Sequence, residues 1–285
     1  MQIITDSAAD LSPSDVSTWG IKVVPLYIQF PDGEVTANNI TPDDFYARLT
    51  AMVPQVPTTS QPAIGEFIQI FEKAASDQSD MLAIHVSSGL SGTHSAASTA
   101  ARQVGYGGVQ VVDTMTLSCG QRFQVLAAAR AVKAGWDLAR ILDLLAAVRR
   151  ETEVIYTLET LEYLARGGRI GRVQAIAGSL LKIKPIIRVD KNDGKYSTLG
   201  RSRTIRQSME SMASHFASLY GDKPVWVTMC HGQMREQASA FDAMLRERLN
   251  VAQSDLIQIS PVLGVHTGPG ILGAGVVTME AFQGL

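Results

Sequence analysis

Several things are scarce or missing in this 285-residue chain, and each absence removes a class of function. There are two cysteines, Cys119 and Cys230, without metal-ligand spacing, so they read as reduced structural residues of the kind cytosolic proteins carry. Charge of either sign is not in excess: 25 Lys and Arg face 27 Asp and Glu, for a net −2, which gives no electrostatic basis for a nucleic-acid partner. No apolar run reaches membrane length, because the apolar C-terminal segment is interrupted by Ser260, Pro261, His266 and several glycines. Met1 to Asp6 lacks the basic and apolar regions of a signal peptide, so a cytoplasmic location is expected. Internal repeats, low-complexity tracts and the G-x-x-x-x-G-K-[ST] nucleotide loop are also absent.

What is present centres on Met81 to Ala97, MLAIHVSSGLSGTHSAA. Met81 to Val86 is short and almost wholly apolar, as a strand buried on both faces of a parallel sheet is. It breaks into Ser87-Ser88-Gly89-Leu90-Ser91-Gly92-Thr93 and then into a helix-compatible stretch, His94 to Val104. Such a turn sets hydroxyls and backbone N–H groups at a helix N-terminus beyond a strand's carboxyl end, where open α/β sheets bind ligands. It reads as a cradle for an anionic head group. Two other readings stand beside this one. Ser88 and Ser91 can serve only as helix caps. A hydrolase elbow would need G-x-S-x-G, and in Gly89-Leu90-Ser91-Gly92-Thr93 the second glycine comes one place early.

The first half alternates strands and helices. Gln2 to Thr5 is a strand ending in Asp6-Ser7; Ile21 to Phe30 is a longer extended run closed by Pro31-Asp32-Gly33. Thr41 caps a helix with Pro42 in its first turn, and a second hydroxyl-rich turn, Pro57 to Pro62, meets a helix marked by Ile64, Phe67, Ile68 and Phe71. Val109 to Asp113 is a strand, followed by helices over Thr116 to Ala134 and Leu138 to Arg150. This rhythm predicts an α/β unit with a mostly parallel sheet. After it come a strand at Val154 to Leu158, a short helix at Thr160 to Ala165, and a helix introduced by Arg169-Ile170-Gly171-Arg172 that runs through Leu181. Lys184 to Asp190 and Lys195 to Gly200 form a hairpin. A helix with Ile205, Met209, Met212, Phe216 and Leu219 on one face, the strand Val225 to Met229, a helix around Met234 to Leu249 and the strand Leu256 to Ser260 complete an α+β pattern with antiparallel pairing. Two domains are therefore expected, 1–150 and 151–285. Ser260 to Gly270 reads as a shaped loop, with His266 between Gly264 and Gly268 suggesting close approach of backbone to a ligand.

Taken in order, Thr5-Asp6-Ser7, Thr59-Ser60-Gln61-Pro62, the Ser87 to Thr93 loop, Gly167-Gly168-Arg169-Ile170, Lys184-Pro185-Ile186 and Gly264 to Gly270 resemble the DegV family, whose members include the fatty-acid-binding subunits of bacterial fatty acid kinase. Asp113-Thr114 stands where that family often has Asp-Ser. The resemblance implies an α/β/α N-terminal layer, an α+β C-terminal domain and an apolar tunnel near their junction that holds a long-chain fatty acid. It implies that Thr59, Ser91 and His266 meet the carboxylate, with Ser60, Ser88 and Gly92 in support. It also implies a carrier rather than an enzyme, without metal or cofactor, that presents the carboxylate to a separate ATP-dependent kinase for acyl-phosphate formation and leaves room for transient membrane contact. Arg169, Arg172, Arg201 and Arg203 are the candidates for docking that kinase. The competing reading is a serine hydrolase using Ser91 and His266 with Asp113 or Asp6.

Overall fold

The computed structural model describes residues 1–174 and 183–285. β1 (Gln2–Asp6) leads through a tight turn to α1 (Pro13–Trp19), which opens with a reciprocal cap between Ser12 and Asp15. The extended run expected over Ile21 to Phe30 is divided at Pro25, which has no N–H to continue a ladder. Its first part, β2 (Lys22–Val24), pairs parallel with β1; its second, β3 (Tyr27–Phe30), pairs antiparallel with β4 (Gly33–Thr36). Beyond α2 (Pro42–Ala51), capped by Thr41, β5 (Thr58–Ser60) joins the other side of β3. Then come α3 (Ile64–Ser76), β6 (Met81–His85), α4 (Thr93–Val104), β7 (Val109–Asp113), α5 (Ser118–Lys133) and α6 (Leu138–Glu151). The larger sheet of this half is wholly parallel in the order β2-β1-β6-β7.

The second half contains β8 (Glu153–Leu158), α7 (Glu162–Arg166), β9 (Lys184–Val189), β10 (Tyr196–Ser202), α8 (Ile205–Tyr220), β11 (Val225–His231), α9 (Arg235–Arg246), β12 (Val251–Gln258), α10 (Pro261–Thr267) and β13 (Ile271–Thr278). The sheet order is β10-β9-β8-β13-β11-β12, antiparallel except for β11 with β12. Part of the helix expected to run through Leu181 lies outside the described residues. Ser260 to Gly270 is corrected: it holds helix α10, not a loop, because Pro261 suits a first turn and Gly264 packs against Phe45 and Tyr46. Gly268 lies against Tyr163, so aromatic side chains of this chain approach both glycines.

Strand alternation explains the layering. In the parallel sheet Ile4, Met81 and Ala83 face α3 and α4 through Phe67, Phe71, Ala97 and Ala100, whereas Ile3, Leu82 and Ile84 face α5 and α6. The same two helices rest on the second sheet through Trp226 and Val277. Met212, Phe216 and Phe241 cover that sheet's far side, packing on Val225, Val227 and Leu272. The helices α5 and α6 are thus shared by both sheets, which suits the nearly all-round burial of α5, whereas α6 buries one stripe through Ile141, Leu144, Leu145 and Val148. Arg122, 4% exposed, adds a polar tie: it pairs with Asp15 and Asp255, each at 3.0 Å, and donates to Thr228.

One buried carboxylate organises the carboxyl end of the parallel sheet. Asp6 accepts from the backbone N–H groups of Ala8 at 3.0 Å and Val86 at 2.9 Å, from His85 Nδ1 at 2.9 Å and from Gln121 Nε2 at 3.2 Å. Asp6→Asn would turn a donor toward donors on one side of that group. We expect it to lower the unfolding free energy by roughly 3–5 kcal/mol in urea titration. Asp32→Asn, on an exposed pair with Arg48, should cost no more than about 1 kcal/mol. Equal effects of the two substitutions would refute the organising role of Asp6.

Candidate functional site

The Ser87 to Thr93 loop sits at the carboxyl end of β6, as its sequence suggests. Leu90 and Ser91 donate their N–H groups to Ser87 O, which closes a tight turn, and Ser87 Oγ donates to Gly194 O in the β9–β10 turn at 2.8 Å. Ser91 Oγ accepts the Thr93 N–H at 3.3 Å and lies 2.9 Å from Thr93 Oγ1. It has a capping role, and it also faces a cavity. Thr59 reaches the same cavity from β5, with its Oγ1 2.8 Å from Nε2 of His266 on α10. Arg169 and Tyr196 complete the polar wall, and Ala8, Leu26, Val86, Leu90, Leu117, Val262 and Leu263 the apolar one. Residues 59, 91, 169 and 266, on four separate elements or turns, thus converge around about 40 Å³. That space suits a head group of a few heavy atoms.

His266 is 9% exposed, and burial, followed by the charge of Arg169, lowers its pKa to about 4. The imidazole is therefore neutral at pH 7. Its Nδ1 is buried and has no hydrogen-bond partner among the described residues. The backbone of Gly167 passes directly over that nitrogen, where a Cβ would overlap it. This close pass delivers Arg169, whose Nη1 donates back to Gly167 O at 2.7 Å. Two hydroxyls, an imidazole and a guanidinium make a set of donors for a small anion, backed by apolar wall.

The other predicted residues do not line this cavity. Thr59 and Ser60 are strand neighbours, so their side chains leave opposite faces, and Ser60 faces Gln29 Nε2 at 3.4 Å. Ser88 is exposed and donates its N–H to the Asp113 carboxylate at 3.2 Å. Gly92 lets the Gln61 carboxamide lie against the start of α4, where a Cβ would collide with it. Of the four arginines, Arg169 belongs to the cavity wall. Arg172 pairs with Asp190 at 3.4 Å and Asp193 at 3.0 Å on the hairpin turn. Arg201 lies five residues along β10 from Tyr196, about 17 Å at strand rise, with Arg203 beyond it. Tyr196 and Val86 went unrecognised because an apolar or aromatic strand residue carries no local mark of a cavity.

The hydrolase reading is corrected by the same geometry. His266 shares Nε2 with Thr59, not with Ser91. Asp113 accepts from Ser88 and Met115, and Asp6 is paired with His85. Among the described residues no carboxylate orients His266, so a Ser-His-Asp relay is not assembled.

The depressed pKa of His266 has a consequence for stability. The unfolded chain takes up a proton near the ordinary histidine value of 6.5, the folded chain only near 4. Stability from this group is present above pH 6.5 and is lost as pH falls toward 4, by about 3 kcal/mol. The difference in unfolding free energy between wild type and His266→Gln should shrink by that amount from pH 7 to pH 4. A difference independent of pH would refute the burial argument.

Comparison with known proteins agrees with this fold and geometry. The family model described as "Uncharacterised protein, DegV family" matches residues 1–279. A DegV domain-containing protein of Deinococcus radiodurans is 37% identical over 272 residues, which is 95% of this chain and 93% of that protein. A Thermus thermophilus structure described as fatty acid binding of a DegV family protein has TM-score 0.90 at 31% identity, covering 98% of this chain and 99% of its own. A Bacillus subtilis structure, described as DegV, a fatty acid binding protein, has TM-score 0.86 at 26% identity and covers 97% and 98%. By sequence, fold and extent of match, this chain belongs to the DegV family.

Proposed function

We propose that this protein binds a long-chain fatty acid. Thr59, Ser91, His266 and Arg169 hold the carboxylate, and the tail runs into the apolar cluster behind them. The observation that carries the reading is the convergence of those residues on one cavity whose wall is continuous with a buried apolar cluster. The fatty-acid-binding relatives support it. At roughly 0.8 kcal/mol per buried methylene, a long tail supplies on the order of 10 kcal/mol before association costs. The cavity of about 40 Å³ is sized for the head group, so the tail enters by displacing side chains of the cluster. In this reading the protein is a cytoplasmic carrier built of two units, 1–150 and 151–285, with the ligand near their junction. It hands the carboxylate to a separate ATP-dependent kinase, which forms the acyl phosphate.

Protein purified under mild conditions should release near-stoichiometric long-chain fatty acid on solvent extraction, read by mass spectrometry. Added back to stripped protein, palmitic acid should raise the melting temperature by mass action, and hexadecanol, which lacks the carboxylate, should raise it less. Ser91→Ala should remove most of that difference, since it deprives a charged acceptor of a donor. No extractable lipid and no thermal shift would end the carrier reading.

Presentation to a kinase has its own test. Arg172→Glu, Arg201→Glu and Arg203→Glu should each leave lipid binding intact, and at least one should slow acyl-phosphate formation when the kinase is supplied. Rim charges act mainly on association rate and its salt dependence. Unchanged rates in all three variants would move the docking surface elsewhere.

A further inference from the structure

Tyr156, on β8, is 2% exposed, and its ring lies in the same apolar cluster that supplies Leu26, Val86 and Leu117 to the head-group cavity. Its hydroxyl is buried and makes no hydrogen bond to any described residue. Burial holds the phenol well above its ordinary pKa, so it stays an O–H donor. The contrast with Tyr220 is direct, because that hydroxyl has two backbone carbonyls within reach of its one proton, at 2.9 and 2.7 Å. Two polar groups near Tyr156 are engaged elsewhere: Asp10 accepts from Ser118 Oγ at 2.5 Å and from the Ser260 N–H at 2.9 Å, and Cys119 Sγ donates to Thr228 O. Phenylalanine would fill the same space without burying an unpaired hydroxyl. Among the described residues, the other buried phenol without a hydrogen bond, Tyr46, belongs to a separate cluster with Phe45 and Leu49.

Resting on the fatty-acid reading above, we propose that the ligand is a mid-chain hydroxylated long-chain fatty acid whose tail hydroxyl exchanges a hydrogen bond with Tyr156. Chemistry on both sides favours the match. An alkyl tail against Tyr156 leaves the phenol unpaired, and a hydroxylated tail in a wholly apolar tunnel leaves its own oxygen unpaired. A site built around a ligand hydroxyl discriminates by leaving protein groups unpaired with the wrong ligand.

The experiment measures dissociation constants for stearic acid and for the 3-, 7-, 10- and 12-hydroxystearic acids, on wild type and Tyr156→Phe stripped of lipid. Wild type should bind one mid-chain isomer about tenfold or more tighter than the other isomers, and no more weakly than stearic acid. Tyr156→Phe removes one oxygen, should melt no lower, and should erase the preference while binding stearic acid at least as well. Equal binding of all isomers by wild type, or a preference that survives in Tyr156→Phe, overturns the inference. If stearic acid binds without any isomer preference, only this inference falls. If neither stearic nor any hydroxystearic acid binds, the carrier reading falls with it.

Discussion

The carboxylate of Asp6 is the constraint on which the cavity depends. It is fully buried and takes donors from three elements: the turn after β1 through Ala8, the end of β6 through His85 and Val86, and α5 through Gln121. Ala8 and Val86 are both in the cavity wall. The sheet-side wall is therefore set by one buried charge whose acceptor sites are all occupied. Such a group is costly to bury and far costlier to leave unpaired, so the four donors have one low-energy arrangement.

The opposite wall is fixed by a second aspartate four residues on. Asp10 holds a left-handed backbone conformation at φ 49° and accepts from Ser118 at the start of α5 and from Ser260 just before α10. Burial raises its pKa to about 6 against those hydrogen bonds. Helix α10 carries Val262, Leu263 and His266 into the cavity. The short turn Ser7 to Ala9 is thus clamped at both ends, by Asp6 to the parallel sheet and by Asp10 to α10. Through that turn the position of His266 is referred back to the strand that starts the chain. Thr59 on β5 then meets His266 as the third wall, held by the small antiparallel sheet.

Much of this was legible in the sequence, and the rest failed for definite reasons. The parallel half showed because buried strands and one-sided helices alternate plainly, and six short motifs in order pointed to the DegV family. Helix α1 escaped because none of its residues is buried, so it has no apolar stripe to detect. Strand β13 escaped because Gly273 and Gly275 interrupt its apolar run, so it reads as part of a glycine-rich loop. The segment around His266 read as a loop because of its glycines, but Gly264 sits inside α10 to admit Phe45 and Tyr46, and Gly268 ends the helix against Tyr163. Thr59 and Ser60 were equivalent as hydroxyls, and only the pleat of β5 separates them. Arg169 looked like a surface charge, since nothing local reveals that Gly167 lies over an imidazole.

The electrostatics of the cavity follow from that last contact. Arg169 and His266 share one small space, and the fixed guanidinium joins burial in keeping the imidazole neutral. An anion placed between them opposes both effects: it neutralises the guanidinium's field and offers the imidazole a partner for its proton. His266 is then a donor that strengthens as the negative charge arrives and weakens as the charge leaves. Under the proposed function, such a site favours an ionised carboxylate over a neutral head group of the same size. In that reading, the grip on an ionised carboxylate is a consequence of one buried histidine beside one arginine.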